Sequence, residues 1–481
     1  MNRILSNYLF NAIYQLLVVL LPFITTPYVA RVLGPEKLGA NAYTFSIIQI
    51  LMVIGMLGVP LYGNRQIAIY AEKGKEKITR EFWSIYSIQF IGVGVCIVLY
   101  LIYVLSLSSE FWVTISLLQG LYLLSSMFDI SWLLLGVQRL KQAVTRNFIF
   151  KILSIILVFI FVKDENDLDI YILIMGGTML IGQLILWFYA KNIIFIKPQV
   201  VFQDFKKHIK PIMILFMPQI LGQLYLSLDK VILQVFTTEV QVGYYDQALK
   251  ISKLVLTIIT SIGVVMLPNI SAAFVKGDRE KVVYYVEKVL LYILFITIPM
   301  VIGISAISDN FISWFLGKDF QEVSGLLKIL SPIIFFIGLG SLFGMQILAG
   351  TGQEGKLTIS IFSGALVSIV VSLIFVPKYG AYAAAASTLL AEATVAIIQF
   401  FFVRRFINLT KVYKSLFLYI ISSIIMMLSV ISIGNIEFSV ILKTFVQILV
   451  GIVVYLSMLF ILKEKFIMEA NKIILPIIYK K

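Results

Sequence analysis

A row of polar side chains runs through an apolar stretch near the middle of the chain. Consecutive members are four, four, three and four residues apart, so an α-helix would carry all of them on one face. The row consists of Gln219, Gln223, Ser227, Lys230 and Gln234. Amides and ammonium groups are costly in lipid, so we expect this face to line a watery cavity enclosed by protein.

A second polar face opens the next apolar stretch, where Asp246, Lys250 and Lys253 share one side of a helix. A cavity lined by positive charge inside a membrane protein is suited to an anionic cargo. Two alternatives stay open. Lys230 can reach the outer headgroups or pair with Asp229, and Lys250 can pair with Asp246 four residues earlier, which would neutralise one charge.

Composition restricts the class of protein. The chain has 481 residues, of which 60% are hydrophobic and only 13% charged, which is typical of a polytopic membrane protein. The net charge of +14 lies in short loops between apolar runs, which indicates membrane topology rather than nucleic-acid binding. A single cysteine, Cys96, excludes an intramolecular disulfide, and a single histidine, His208, argues against a metal cluster.

Fourteen apolar runs are long enough to cross about 30 Å of hydrocarbon. They are 6–30, 40–63, 82–105, 111–135, 146–162, 170–190, 211–236, 244–274, 284–306, 325–349, 357–376, 380–402, 414–433 and 440–462. Cation-rich loops alternate with loops that are poor in cations, and the positive-inside rule therefore places both termini in the cytoplasm. The first run is too long for a cleaved signal and is expected to be the first transmembrane helix.

An internal repeat divides the chain. Segment 35–43 matches 238–247, and segment 67–77 matches 271–281. Gly39 aligns with Gly243 and Gly74 with Gly277, at nearly equal offsets of 204 and 203 residues, which indicates a duplication.

Six helices lie between the copies, so the repeat keeps its orientation. We therefore predict an all-α polytopic membrane protein with 14 transmembrane helices. Residues 1–205 form an N-lobe (helices 1–6) and residues 206–405 a C-lobe (helices 7–12), related by a pseudo-two-fold axis along the membrane normal. Residues 406–481 add helices 13 and 14 and a cytoplasmic tail.

Further polar residues occur inside apolar runs. Asn11 and Gln15 are four apart on helix 1, and Arg31 lies at its outer end. Asp129 in helix 4 and Glu392 in helix 12 are the carboxylates deepest in apolar runs, which makes them candidates for coupling to protons or sodium. The alternative for these groups is hydrogen bonding between packed helices.

Several motifs carry a family resemblance. They are Thr26-Pro-Tyr-Val-Ala-Arg31-Val-Leu-Gly34-Pro-Glu-Lys-Leu-Gly39, Gly63-Asn-Arg65, Leu228-Asp229-Lys230 and Val242-Gly243-Tyr244-Tyr245. With these motifs the chain resembles bacterial polysaccharide flippases of the Wzx type. That family belongs to the multidrug/oligosaccharidyl-lipid/polysaccharide exporter superfamily, which also includes lipid II flippases.

The resemblance implies a function and a location. Such flippases move undecaprenyl-diphosphate-linked oligosaccharides from the inner to the outer leaflet of the bacterial plasma membrane by alternating access, for capsule, O antigen, exopolysaccharide or teichoic acid. It implies that the cations of the cavity are Arg31, Arg65, Lys230, Lys250 and Lys253. We expect a multi-pass monomer that needs no cofactor beyond a coupling H⁺ or Na⁺ and binds membrane lipid but no nucleic acid.

Two other functions compete with this one. A cation-coupled multidrug exporter of the same fold would need acidic residues in its cavity, and helix 1 has none. A membrane-embedded glycosyltransferase, ligase or polymerase would need a large extracytoplasmic loop, and no loop exceeds about twenty residues. The sequence therefore favours a transporter over an enzyme.

Overall fold

The computed structural model describes the backbone of residues 2–197, 202–407, 409–434 and 436–468. Side chains are described for the same residues except 2–20, 140, 202–204, 257–258, 260–262, 264–265 and 409–411. Every regular element in this part of the chain is helical, which confirms the predicted all-α class. A helix satisfies its backbone hydrogen bonds internally, which a chain surrounded by lipid requires.

Fifteen α-helices are found in the described residues. They are α1 (Asn2–Met56), α2 (Val59–Tyr70), α3 (Lys75–Leu105), α4 (Glu110–Met127), α5 (Ser131–Gly136), α6 (Leu140–Phe161), α7 (Leu168–Ala190), α8 (Phe202–Phe236), α9 (Glu239–Val275), α10 (Arg279–Phe315), α11 (Glu322–Leu330), α12 (Ile333–Gly340), α13 (Glu354–Val403), α14 (Leu409–Gly434) and α15 (Val440–Ile461). A π-helix, Ser341–Ala349, continues α12, and short 3₁₀ turns occupy Lys318–Phe320 and Arg404–Phe406.

Two of the helices are broken inside. In α1 the backbone of Gly34 has φ 72° and ψ 173°, and in α13 that of Gly380 has φ 55° and ψ −135°. Both angles lie outside the helical region, at positive φ values that glycine tolerates best. A straight helix of 55 residues would be about 80 Å long, far more than a bilayer needs, so α1 and α13 each consist of two helices joined end to end.

Among the described residues, eleven helical segments are long and apolar enough to cross a membrane. The predicted run 111–135 forms one of them, but it is not a single helix, because α4 ends at Met127 and α5 begins at Ser131. The fourteen crossings and the pseudo-two-fold axis stay predictions.

The chain forms two compact units, residues 1–243 (unit 1) and 244–481 (unit 2). This division differs from the predicted lobes, which separate at 205/206. In unit 1, α8, the first helix of the predicted C-lobe, packs against α1, α2 and α3. The lobes refer to a duplication in the sequence rather than to packing, and their boundaries stay a prediction.

An aromatic cluster holds unit 1 together at the junction of α2, α3, α5 and α7. Phe82 stacks on Trp132 with ring centroids 5.2 Å apart and meets Trp187 edge-on at 6.0 Å. The Trp132 indole N–H donates to Gln89 Oε1 at 3.1 Å, so the buried polar atom of this large ring is satisfied. Gly63 lies against the same indole, where a methyl group would come within 2.5 Å of a ring carbon.

In unit 2, α14 and α15 pack against each other and against α10. The Tyr455 hydroxyl donates to the Phe295 carbonyl at 2.8 Å, and the Trp314 indole donates to Thr444 at 3.0 Å. Both bonds attach α15, the second of the two helices that were predicted to lie outside the repeat, to α10.

The glycines that mark the sequence repeat have matching structural roles. Gly74 precedes α3 with φ 93°, and Gly277 lies just before α10 with φ 70°. Gly39 and Gly243 meet where two backbones touch. A methyl group on Gly39 would lie 1.7 Å from the Glu239 carbonyl oxygen, and one on Gly243 would lie 2.1 Å from the Pro35 carbonyl oxygen.

We therefore expect Gly39→Ala and Gly243→Ala each to destabilise the protein by about 2–3 kcal/mol, because a methyl group would force two backbones apart. The measurement is the melting temperature of the purified protein in detergent. Gly177→Ala on α7 is the control, since no atom lies within 4 Å of the added methyl group there. An unchanged melting temperature in both variants would show that the backbones do not approach so closely.

Candidate functional site

The polar row on α8 contains three amides that donate hydrogen bonds and one lysine. The Gln219 amide donates to the Leu215 carbonyl at 2.9 Å, and the Gln223 amide donates to the buried Ser227 hydroxyl at 2.6 Å. Gln234 donates to Glu239 Oε1 at 3.0 Å. Three amides of the row thus bond to groups nearby in the chain, and Lys230 is the one charged member of the row.

Asp229 and Lys230 are adjacent on α8 but differ in burial. Asp229 is only 3% exposed, whereas Lys230 is half-buried. Neighbouring helical positions point about 100° apart, so the carboxylate turns into the protein and the ammonium toward its boundary. The site assignment of both residues stays a prediction.

At the start of α9 the anticipated ion pair forms. Lys250 Nζ lies 2.6 Å from Asp246 Oδ2, with the carboxylate side chain 2% exposed and the lysine 49% exposed. The pair neutralises most of the charge that Lys250 would bring to a ligand. Lys253, about one turn further along the helix, is half-buried.

The two predicted arginines are both exposed. Arg31 lies on α1 three residues before the break at Gly34, and Arg65 lies on α2. Leu61 and Ile69, one turn to either side of Arg65, are 54% and 50% exposed, so this face of α2 combines a cation with apolar side chains.

The two deep carboxylates have different surroundings. Asp129 lies in the break between α4 and α5, where its Oδ1 accepts the Ser131 backbone N–H at 2.8 Å and its carbonyl accepts the Gln89 amide at 2.9 Å. These bonds favour the alternative reading of Asp129 as a packing residue. Glu392 is half-buried within α13, twelve residues after the break at Gly380. Asn11 and Gln15 lie outside the described side chains.

A charged cluster at the junction of α2, α3 and α8 was not anticipated. Glu81 is 4% exposed and accepts from Lys207 Nζ at 2.6 Å and from the Gln66 amide at 3.2 Å. His208, fully buried, places its Nε2 3.5 Å from the same carboxylate and its Nδ1 2.7 Å from the Tyr62 hydroxyl. No spacing rule could have found it, because Glu81 and Lys207 are more than a hundred residues apart.

Comparisons with known proteins give the family and the fold. A family model described as "Polysaccharide biosynthesis protein" matches residues 4–274, more than half of the chain. The chain is 29% identical over 218 residues to "Uncharacterized membrane protein MJ1068" of Methanocaldococcus jannaschii, which covers 45% of this chain and 43% of that relative. It is 23% identical over 413 residues to "Putative O-antigen transporter" of Escherichia coli K12, which covers 83% of this chain and 96% of that relative.

The fold is similar to that of a solved structure, "Lipid II flippase MurJ, inward closed conformation". The TM-score is 0.77 at 20% sequence identity, with 95% of this chain and 99% of the other covered. Two long chains that superpose over nearly their whole length share an arrangement of helices. At 20% identity this similarity shows the fold and does not show the function.

We expect Glu81→Gln to lower the stability of the protein by about 2 kcal/mol, because the buried acceptor of Lys207 loses its charge. Thermal unfolding in detergent measures this effect. Glu76→Gln, five residues earlier on the exposed face of α3, removes the same charge and should change stability by a few tenths of a kcal/mol. Equal shifts in the two variants would contradict a special role for Glu81.

Proposed function

We propose that this chain, which belongs to the polysaccharide biosynthesis protein family, is a flippase for an undecaprenyl-diphosphate-linked oligosaccharide. The observation that carries the proposal is the family match over residues 4–274. The names of the relative from E. coli and of the solved structure, an O-antigen transporter and a lipid II flippase, support a cargo that joins a saccharide to a lipid. The cargo would be a precursor of capsule, O antigen, exopolysaccharide or teichoic acid, moved from the cytoplasmic to the outer leaflet.

Positive charge on α8 and α9 supports an anionic cargo. Lys230 and Lys253 are half-buried cations in helices that follow each other in the chain, and Lys250 is already paired with Asp246. A diphosphate presents several oxygen atoms that accept charge-assisted hydrogen bonds from ammonium groups. In this proposal Lys230 of unit 1 and Lys253 of unit 2 each serve as a cation for the diphosphate, as do the exposed residues Arg31 and Arg65.

The membrane potential can drive this movement. With a cytoplasm at negative potential, outward transfer of one negative charge is favoured by about 2.3 kcal/mol per 100 mV. A diphosphate carries more than one such charge, so the cargo itself can supply the driving force for its crossing.

The proposed topology has fourteen crossings. The broken helices α1 and α13 are each long enough to cross twice, and α9, with 37 residues, is long enough to cross once. Counting them in this way brings eleven segments to fourteen. Both termini then lie in the cytoplasm of a bacterial cell, and two six-helix lobes alternate access to the cargo in a monomer.

A coupling ion would use Glu392 rather than Asp129 in this proposal. The Asp129 carboxylate already accepts the backbone N–H of Ser131, whereas Glu392 lies within the helix that follows the break in α13. A carboxylate inside a membrane segment is costly unless it serves packing or carries an ion.

The transport assay uses the full chain in vesicles with a fluorescent undecaprenyl-diphosphate oligosaccharide, and quenching from outside reports its leaflet. We expect Lys230→Gln and Lys253→Gln each to slow translocation about 10- to 100-fold, since each removes a charge-assisted hydrogen bond of about 1.5–3 kcal/mol.

Lys276→Gln, an exposed lysine at the end of α9, removes the same charge outside the helix and should leave the rate unchanged. Rates in wild-type vesicles equal to those in empty vesicles would refute the flippase proposal. Accumulation of a cationic dye instead would favour the multidrug exporter.

We expect Glu392→Gln to abolish the acceleration of translocation by an imposed proton or sodium gradient, because the amide can neither release a proton nor bind a cation by charge. The readout is the ratio of rates with and without the gradient at fixed membrane potential. Asp129→Asn is the comparison, and it should keep the ratio. A wild-type ratio of one would show that no such ion is coupled.

A further inference from the structure

Lys151 occupies the middle of a membrane-spanning helix. The apolar segment of α6 runs from Lys141 to Phe161, so ten residues lie on either side of Lys151. At 1.5 Å per residue the Lys151 backbone is about 15 Å from both ends of the segment, near the centre of a hydrocarbon layer. The side chain is exposed nonetheless.

Lys151 lies on the side of α6 opposite a row of exposed apolar residues. Four of the exposed apolar residues of α6, Ile149, Leu153, Ile156 and Ile160, form a row at helical spacing and are 38–54% exposed, while Phe161, at the last position of the helix, lies outside this row. At 3.6 residues per turn Lys151 points about 170° away from the centre of this row. From this angle we expect Lys151 to face a space between helices rather than acyl chains.

At this depth the charged ammonium of Lys151 is stable only if a polar or anionic group contacts it. A four-carbon stem cannot carry the ammonium over half the thickness of the membrane, so it cannot snorkel to either surface. No hydrogen bond or ion pair to its ammonium occurs among the residues whose side chains are described. Lys207 and Lys250, by contrast, each contact a buried carboxylate at 2.6 Å.

Asn147 adds neutral donors on the same side of α6. It lies four residues before Lys151, one turn nearer the start of the helix, and is also exposed. The amide offers two N–H donors and the ammonium three, and none of the described acidic residues pairs with either. Donors without a carboxylate, in a space of low dielectric constant, suit an anion that has several acceptor oxygens.

We propose that Lys151 and Asn147 form an anion-binding site at mid-membrane depth within unit 1, and that its ligand is a phosphate or diphosphate group. The site is carried by α6, a different helix from those that carry Lys230 and Lys253. Identifying the group as the diphosphate of a lipid-linked cargo rests on the proposed function, whereas the existence of the site does not. In that case Lys151 would hold the headgroup halfway across the membrane.

Binding to the purified full chain in nanodiscs tests the site, with inorganic pyrophosphate and farnesyl diphosphate as probes and calorimetry as the readout. We expect at least one probe to bind, Lys151→Gln to weaken that binding at least tenfold, and Asn147→Ala to weaken it several-fold. Lys151→Arg keeps the charge and should retain most of the affinity. Binding of both probes indicates a site for small phosphates, and binding of farnesyl diphosphate alone indicates a lipid-borne group.

Lys163→Gln is the matched control, because it removes an exposed lysine just beyond the end of the same helix. The melting temperature of Lys151→Gln should not fall below that of the wild type, since no protein contact of the ammonium is lost. Equal affinity in wild type and Lys151→Gln, or no binding of either probe to the wild type, would overturn the proposal. Probe binding that depends on Lys151, in a protein that flips no lipid in vesicles, would support the site and refute the flippase.

Discussion

The structure depends on one constraint: the hydrocarbon interior offers no hydrogen-bond partners, so polar groups must be satisfied by protein, water or ligand. The constraint explains why every regular element in the described residues is helical. It also explains the cations near helix ends. Lys207 lies against buried Glu81, and Lys250 against buried Asp246, at 2.6 Å in both cases. In both places a buried carboxylate compensates the charge of the lysine.

The same constraint divides the polar residues that share a helical spacing. Gln223 and Ser227 bond to each other on α8, and Asp129 accepts a backbone N–H at the start of α5, so these groups complete the protein itself. Lys230 and Lys253 remain as half-buried cations on neighbouring segments of the chain. Spacing alone cannot separate the two kinds, because both keep the period of the helix.

Close packing explains the repeated glycines. Gly39 and Gly243 occupy equivalent places in the duplicated sequence and contact the opposite copy's backbone, where no side chain fits. Gly74 and Gly277 both adopt positive φ before a helix begins. A duplication keeps such residues for steric reasons, whatever the cargo. The similarity between these repeated segments of the chain therefore indicates shared structure rather than a particular function.

The sequence by itself determined the membrane class, the helical content and the family resemblance, because hydrophobic run length and short motifs are local properties. It also anticipated the Asp246–Lys250 pair, which needs only one turn of helix. Only the tertiary structure decided the rest. It brought Glu81 to Lys207 and His208 across more than a hundred residues, broke the predicted run 111–135 at Asp129, and left the Lys151 side chain exposed in the middle of α6. The contact partners of a side chain and the direction in which it points depend on how the helices pack. The spacing of residues along the sequence does not contain this information.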